Sequence, residues 1–599
     1  MSPLSSLNTY YWKYKHLFVP GLLAAMVSAG FSITVPVVVR MAVDSIPRLV
    51  SIYNLYAGTE LQGYFYATFF VGMLLFGLII IGLSLLSGLF SFLMRQTVVV
   101  ASRHIEFDLR NALYDQLQRL SQSFYRQYST GDVMARATSD IEAVRRYIGP
   151  AIMYITRAVV IIVTAITVMF VISPRLTLYA LIPMPFLAVA VFFMARMQHS
   201  RSDAIQAQYS TLTSRVQEAL NGIRVLKAYT REISEAEAFD EESAKYRQRN
   251  LDLALVDSAF RPVFLLLIGM AEIIVVWLGG RLVAEGTITI GNIAEYMIYV
   301  AYMTWPVASM GFVITMIQRA SASMIRLNRI FDAVPDIADT EEVDGSLREI
   351  RGRITFEDVS YRYKDEGPWV LHDVSFDAEA GTTLAIVGRT GAGKTTLVEM
   401  IPRLLEATRG TVRIDGRRIQ EIPLDLLRSS IGYVPQEVFL FSDTVADNIA
   451  FGELDAGREA VEQAAREAAL LENVQDFPDG FETFVGERGI TLSGGQKQRS
   501  SIARALIGNP SILILDDALS AVDTSTESEI LGYLRGYYGT RTVVIVSHRI
   551  SSVMDADQIL VLHEGELVER GTHDELLRLD GRYADLHRKQ LLEQEIEAL

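Results

Sequence analysis

TTLAIVGRTGAGKTTLVEMI, residues 382–401, reads as a buried strand, a glycine-rich loop and the start of a helix. The loop runs Gly388, Arg389, Thr390, Gly391, Ala392, Gly393, Lys394, Thr395, and Thr396 carries it into the helix. It fits G-x-x-x-x-G-K-[ST] in the strand–loop–helix setting the pattern requires. Its glycines let successive backbone N–H groups turn inward and cradle phosphate oxygens at a helix N-terminus. Lys394 is placed to reach the β- and γ-phosphates of a nucleotide, and the Thr395 hydroxyl to ligate Mg²⁺. A short glycine-bearing turn is ordinarily only a turn, but the full pattern behind an apolar strand predicts an ATP-binding domain.

Downstream, SILILD (511–516) is a continuous apolar strand ending in an acid. Alone, such an acid is usually a helix N-cap. Behind a phosphate loop at this distance, Asp516 is expected to hold the Mg²⁺ shell.

Upstream, the composition changes. The chain has 599 residues, enough for several domains. Up to about residue 330 it is rich in long apolar runs, and beyond that it has the mixture of a charged soluble domain. A mean hydropathy of +0.24 with 21% charged residues suits a protein half in the membrane and half out of it. The net charge of −15, its excess acid largely in the C-terminal part, reads as a solvated surface, and nothing resembles a basic nucleic-acid-binding arm. The absence of cysteine excludes disulfides, cysteine-ligated metals and a cysteine nucleophile.

Crossing the hydrocarbon core takes about 20 mostly apolar residues. Six stretches qualify: 17–43, 64–94, 151–172, 176–195, 263–282 and 293–317. The first is too long for a signal-peptide core and is followed by no small-residue cleavage site, so it reads as a retained anchor. Only Ser173, Pro174 and Arg175 separate the third and fourth, a tight turn on one side. By alternation, 95–149 and 196–262 both lie on the other side. The first of these carries Arg95, Arg103, Arg110, Arg119, Arg126, Arg136, Arg145 and Arg146, whereas the outer turns hold only isolated arginines such as Arg48 and Arg175. The positive-inside rule therefore predicts a cytoplasmic N-terminus and C-terminal domain, in a multi-pass protein of the cell (inner) membrane. Both long segments read as helical, so the spans are expected to continue beyond the lipid. Arg157 in the third span and Glu272 in the fifth are ionisable groups at membrane depth. They read either as a polar patch in a substrate cavity or as ion pairs that fix packing. Trp305 and Pro306 read as a cavity wall or a kink, although a lone aromatic beside proline is more often packing.

LSGGQ, residues 492–496, followed by KQRSSIARAL, decides the class. With it stand, in order along the chain, Tyr363 in SYRY, the phosphate loop, Gln436 in VPQE, VGERG at 485–489, the strand ending in Asp516, SAVD at 520–523 and His548 in VSHR. This ordered set resembles the ABC transporter superfamily, specifically the exporter type with membrane and ATPase domains on one chain. FYRQYSTGDVMARATSD, residues 124–140, is similar to that family's first coupling-helix region. The resemblance implies an α-helical membrane domain with six helices and two cytoplasmic coupling loops over 1–330, and a linker over 331–350. It also implies an α/β P-loop ATPase domain over 351–585 and an acidic tail over 586–599. It assigns Tyr363 to the adenine ring and His548 to the γ-phosphate, and Gln436 to Mg²⁺ and the attacking water. Ser493, Gly494, Gly495 and Gln496 go to the γ-phosphate of ATP on a second subunit, and Asp523 joins the nucleotide-binding set.

One departure matters. After Asp516 the family usually carries glutamate, the base that polarises water; here it is Asp517. Its carboxylate falls short by roughly 1–1.5 Å, a misplacement that can cost about 10²-fold in rate. The expectation is good ATP binding, slow hydrolysis at this chain's own site, and an intact signature serving the partner's site. The pattern resembles heterodimeric bacterial multidrug exporters in which one subunit lacks the catalytic glutamate. The leading reading is an exporter subunit for small amphipathic substrates, whether drugs, lipids or peptides. Rivals are a homodimeric flippase and a non-transporting ATP-gated regulator. Six spans exclude a soluble ATPase acting on nucleic acid.

Overall fold

In lipid, every backbone polar group must be satisfied within its own segment, so long apolar runs become helices. The computed structural model describes residues 3–597 other than 365 and 538, and the side chains of these except 488, 524 and 593–597. Contacts divide the chain into two compact units, Met1–Gln118 with Tyr128–Ala333, and Arg119–Gln127 with Val334–Leu599.

The first unit is built on six helices of membrane length: α1 Lys15–Leu55, α2 Leu61–Arg119, α3 Thr130–Ile172, α4 Pro174–Asn221, α5 Glu232–Ala284 and α6 Ile290–Phe331. Each contains one of the six expected apolar runs, and most extend well past it. Prolines inside α1 (Pro20, Pro36, Pro47), α5 (Pro262) and α6 (Pro306) leave these helices continuous. Neighbouring helices re-satisfy the freed carbonyls in such bundles. Between α3 and α4, Ser173 accepts a hydrogen bond from the Leu176 N–H and Pro174 takes the first helical position, where its missing N–H costs nothing.

Small polar residues seam the bundle, as expected where apolar contact alone gives no preference over lipid. Ser28 and Ser32 of α1 both bond to Ser87 of α2, at 2.9 Å to its carbonyl and 2.8 Å to its hydroxyl. The fully buried Tyr296 on α6 bonds the Thr177 hydroxyl at 2.9 Å and donates to the Met169 carbonyl at 2.5 Å, which joins three helices at one end. There too, Arg40 of α1 lies 3.3 Å from the buried Glu295 of α6.

The second unit contains two sheets. Strands are β1 Ile354–Tyr361, β2 Leu371–Ala378, β3 Thr383–Gly388, β4 Arg409–Ile414, β5 Arg417–Arg418, β6 Ile431–Val434, β7 Ile512–Asp516, β8 Thr542–Val546, β9 Gln558–His563 and β10 Glu566–Gly571. The antiparallel sheet has the order β2-β1-β4-β5, and the larger one β10-β9-β3-β8-β7-β6. In the larger sheet all pairs are parallel except β9–β10. Its central strands are buried on both faces, hence their unbroken apolar runs. Period-two alternation sends Ala385, Val387, Leu513, Leu515, Val543 and Ile545 to one core. Leu384, Ile386, Ile512, Ile514, Val544 and Val546 go to the other. The acidic tail is mostly taken up by the helix Arg582–Glu597.

Candidate functional site

In an open parallel sheet, ligands bind beyond the carboxyl ends of the strands. Register fixes which residues arrive there: Gly388 ends β3, and Asp516 of β7 pairs with Val546 of β8. A cleft of about 410 Å³ opens at that edge, lined by Thr390, Gly391 and Gly393 to Thr396 of the loop, by Gln436, Asp516 and Asp517, and by His548. Residues drawn by sequence from four separate motifs thus meet in one place.

The loop needs its glycines. Gly393 sits at φ +94°, and a Cβ there would come within 2.8 Å of the Leu371 side chain. It immediately precedes helix α7, Lys394–Val398. Lys394 Nζ is folded back onto its own loop, donating to the carbonyls of Gly388 (2.9 Å) and Arg389 (3.1 Å). Burial lowers its pKa, and the carboxylates of Asp517 and Asp516 oppose that shift.

Asp516 is 1% exposed, and neither of its oxygens makes a hydrogen bond of good geometry among the described residues. Burial pushes its carboxyl up to about 6, with Thr395 and Lys394 opposing and Asp517 adding to the shift. A buried carboxylate with unused lone pairs calls for a cation. Together with the Thr395 hydroxyl and the Gln436 side chain, it makes an all-oxygen donor set of the kind a hard divalent ion takes.

Asp517 is differently held. Its backbone is left-handed at φ +51°, a conformation that aspartate tolerates better than most residues. Its N–H donates to the Val546 carbonyl at 2.9 Å, and its carboxylate lies 2.8 Å from His548 Nδ1. The expected base and the expected γ-phosphate histidine are therefore direct partners.

Tyr363 is half exposed, with its hydroxyl 2.9 Å from that of Thr396. Sequence reasoning missed its neighbour. The short helix Gln122–Gln127 belongs to this unit, and it sets the Arg126 guanidinium 4.6 Å from the centre of the Tyr363 ring and 3.4 Å from the Tyr361 hydroxyl. The only sequence signal was the arginine within FYRQY, which has no nucleotide motif around it.

LSGGQ opens helix α8, Gly494–Ile507, with Ser493 as N-cap. The Ser493 hydroxyl accepts from the Gln496 N–H at 3.3 Å, and the Gln496 side chain accepts from the Ser493 N–H at 2.9 Å. None of 493–496 lines this chain's own cleft. One turn on, the buried Gln498 donates to the Ser520 hydroxyl (3.1 Å) and accepts from the Ala521 N–H (2.9 Å), tying α8 to the loop after Asp517. KQRSS gave no hint of that role. Asp523, expected in the nucleotide-binding set, lies outside the cleft. Its carboxylate caps helix α9, Thr524–Arg535, accepting from the Thr526 N–H (3.0 Å) and the Ser525 hydroxyl (2.5 Å), and these bonds hold its pKa low.

In the membrane unit, Arg157 lines a cavity of about 470 Å³ with Arg95, Tyr154, Tyr302, Trp305 and Pro306. Glu272 does not line it, which corrects the pairing of the two as one polar patch. Neither residue makes an ion pair among the described residues.

The comparisons with known proteins agree with this geometry. The family described as "ABC transporter transmembrane region" matches residues 18–307, and "ABC transporter" matches 371–520. The chain is 40% identical over 485 residues to the probable multidrug resistance ABC transporter ATP-binding/permease protein YheI of Bacillus subtilis (strain 168), covering 81% of this chain and 83% of that one. It is 37% identical over 494 residues to the multidrug resistance-like ATP-binding protein MdlA of Escherichia coli (strain K12), covering 82% and 83%. Among solved structures, a bacterial Atm1-family ABC exporter with ATP bound matches with a TM-score of 0.77 and 27% identity, over 96% of this chain and 98% of that one. The chain belongs to the ABC transporter family, as an exporter whose ATPase and membrane domains lie on one polypeptide.

Proposed function

We propose that this chain is one half of an ATP-driven exporter in the cell (inner) membrane, moving small amphipathic compounds out of the cytoplasm. Its working partner is a second half-transporter with glutamate at the base position. The observation that carries the reading is Asp517, a shortened base in an otherwise complete cleft on a chain with six spans. The multidrug names of YheI and MdlA support the substrate class. The arginine bias of 95–149 supports a cytoplasmic ATPase domain.

Tyr363 stacks on adenine, the 388–395 loop cradles the phosphates, and Lys394 leaves its loop carbonyls for them. Asp516, Thr395 and Gln436 would hold Mg²⁺, which would neutralise charge on the phosphate oxygens when bound. Asp517 and His548 hold each other across their 2.8 Å contact and orient water poorly, because the carboxylate stops short. The N-terminal N–H groups of α8 face the partner's nucleotide. Closure of the paired ATPase domains passes through the coupling segments to the membrane helices, and hydrolysis resets them.

The test is ATPase activity of the purified chain alone and with a glutamate-bearing partner. The chain alone should be nearly inactive and the pair robust. Asp517→Glu should raise hydrolysis at this cleft, up to about 10²-fold, less the strain of a longer side chain at a left-handed position. A dimer of this chain alone that matches the best pairing, and loses its activity on Asp517→Asn, would overturn the heterodimer.

A further inference from the structure

The membrane unit holds two cavities in series along α3 and α6. The first, about 470 Å³, takes Arg95, Tyr154, Arg157, Tyr302 and Trp305. The second, about 390 Å³, takes Glu142, Arg146, Phe312, Arg319 and Arg326. On α6 the lining positions 302, 305, 312, 315, 319, 322 and 326 recur at helical spacing, so both cavities share one face of that helix. Ala151 of α3 packs with Val313 and Met316 of α6 in one small core, and Met316 also lines the second cavity. The first cavity lies level with the apolar runs apart from Arg95 at the end of the second run. The second cavity straddles their edge, with Phe312, Thr315 and Met316 inside the sixth run and residues 139–146 outside the third.

The charges along this face do not cancel. Arg146 is answered by Glu142 at 2.7 Å and Arg326 by Asp140 at 2.5 Å. Arg95, Arg157 and Arg319 make no ion pair or hydrogen bond among the described residues, and no acidic side chain lines the first cavity. An arginine at membrane depth is costly without a counter-charge. Here Arg157 at membrane depth and Arg95 at the membrane edge face one chamber whose walls include the rings of Tyr154, Tyr302 and Trp305. Guanidinium groups bind carboxylate, sulfonate or phosphate oxygens in fork geometry, and tyrosine and tryptophan cover a flat apolar body at low entropic cost.

Resting on the exporter reading above, we propose that the first cavity is a site for an amphipathic anion. Its head group lies between Arg95 and Arg157, its apolar body lies against Tyr154, Tyr302 and Trp305, and Arg319 lies on the approach. A multidrug site for cations would carry acids where this one carries arginines.

The test uses the full chain, in the assembly it forms, in phosphatidylcholine nanodiscs. The probe is anilinonaphthalene sulfonate, a fluorescent amphipathic anion, and ethidium is the cationic comparison. Binding is read by energy transfer from Trp305, defined as the signal lost in Trp305→Phe. Arg157→Gln and Arg95→Gln should each weaken the sulfonate by about tenfold or more, as loss of a charge-assisted contact does. Arg157→Lys should keep most of the affinity, Arg175→Gln should change nothing, and ethidium should not weaken in any variant. Sulfonate affinity within twofold of the parent in both glutamine variants overturns the proposal. So does joint loss of sulfonate and ethidium that lysine fails to restore, which means a collapsed cavity. Added phosphatidylglycerol separates two sources of the head group. Competition assigns it to a membrane lipid and lack of competition to a soluble anion, and either supports the site. Vesicle uptake keeps the two readings apart. ATP-driven accumulation of ethidium but not sulfonate retains the exporter and removes the anion site. Arginine-dependent sulfonate binding with no ATP-driven movement of either probe retains the site and removes the exporter.

Discussion

The nucleotide cleft and the arginine-lined cavity both answer negative charge, with different materials. The cleft uses backbone. Its anion-facing groups are N–H donors of a glycine loop and one lysine that is otherwise occupied by its own carbonyls. Such donors are fixed by the fold, so they recognise one geometry, a chain of phosphates. The cavity uses side chains: guanidinium groups on long stems among aromatic rings, with no oriented backbone. Helical backbone in lipid is already bonded to itself and has nothing to offer a ligand. Strict recognition therefore sits in the loops of the sheet, and tolerant recognition sits in the membrane.

The comparison breaks most visibly if Lys394→Ala spares the cleft. Losing the one mobile cation there should weaken ATP at this chain's own site by about a hundredfold, read with a fluorescent ATP analogue on the purified assembly. Unchanged occupancy would mean that backbone alone suffices. Gly495→Asp tests the same backbone chemistry on the signature side. A Cβ at Gly495 already meets the Ala521 carbonyl at 3.1 Å, and a carboxylate would repel phosphate. Turnover of the assembly should fall by roughly tenfold to a hundredfold with binding at this chain's cleft retained. Equal loss of binding at both clefts would argue against nucleotides shared across subunits. The smallest expected effect is at Arg126. Its guanidinium lies over the exposed Tyr363 ring, which stacks on adenine in the function proposed above, so Arg126→Ala should weaken ATP by about two- to fivefold, the scale of a surface cation–π contact. Titration of adenine against guanine nucleotides sharpens the point, since the loss should fall on base stacking and leave triphosphate binding by Lys394 intact.

What was legible in the sequence follows the same division. The six spans and the P-loop domain could be read because each rests on a local rule. Apolar length makes a membrane helix, and G-x-x-x-x-G-K-[ST] after a strand makes a phosphate loop. Asp516 and Asp517 were found because they follow an apolar strand directly. Arg126 could not be, because its contact with Tyr363 joins residues 237 positions apart. Gln498 sits in a helix whose spacing says only that it turns inward, not that Ser520 and Ala521 wait there. Arg157 was identified as an intramembrane charge, but its company was misjudged. Glu272 was named beside it as the other clear ionisable group within the spans, whereas the chamber holds Arg95, which sequence places at a membrane edge.

Gln498 has a consequence for coupling between clefts. It is buried, and it clamps the start of the signature helix to the loop that follows Asp517, so these two pieces turn as one body. In the pairing proposed above, that body would reach the partner's nucleotide at one end and Asp517 at the other. Linkage between binding events is symmetrical: whatever factor ATP in one cleft applies to the other is returned in full. On the proposed pairing, ATP held in this chain's cleft would therefore bias nucleotide affinity in the partner's cleft, and the partner's ATP would bias this one by the same factor.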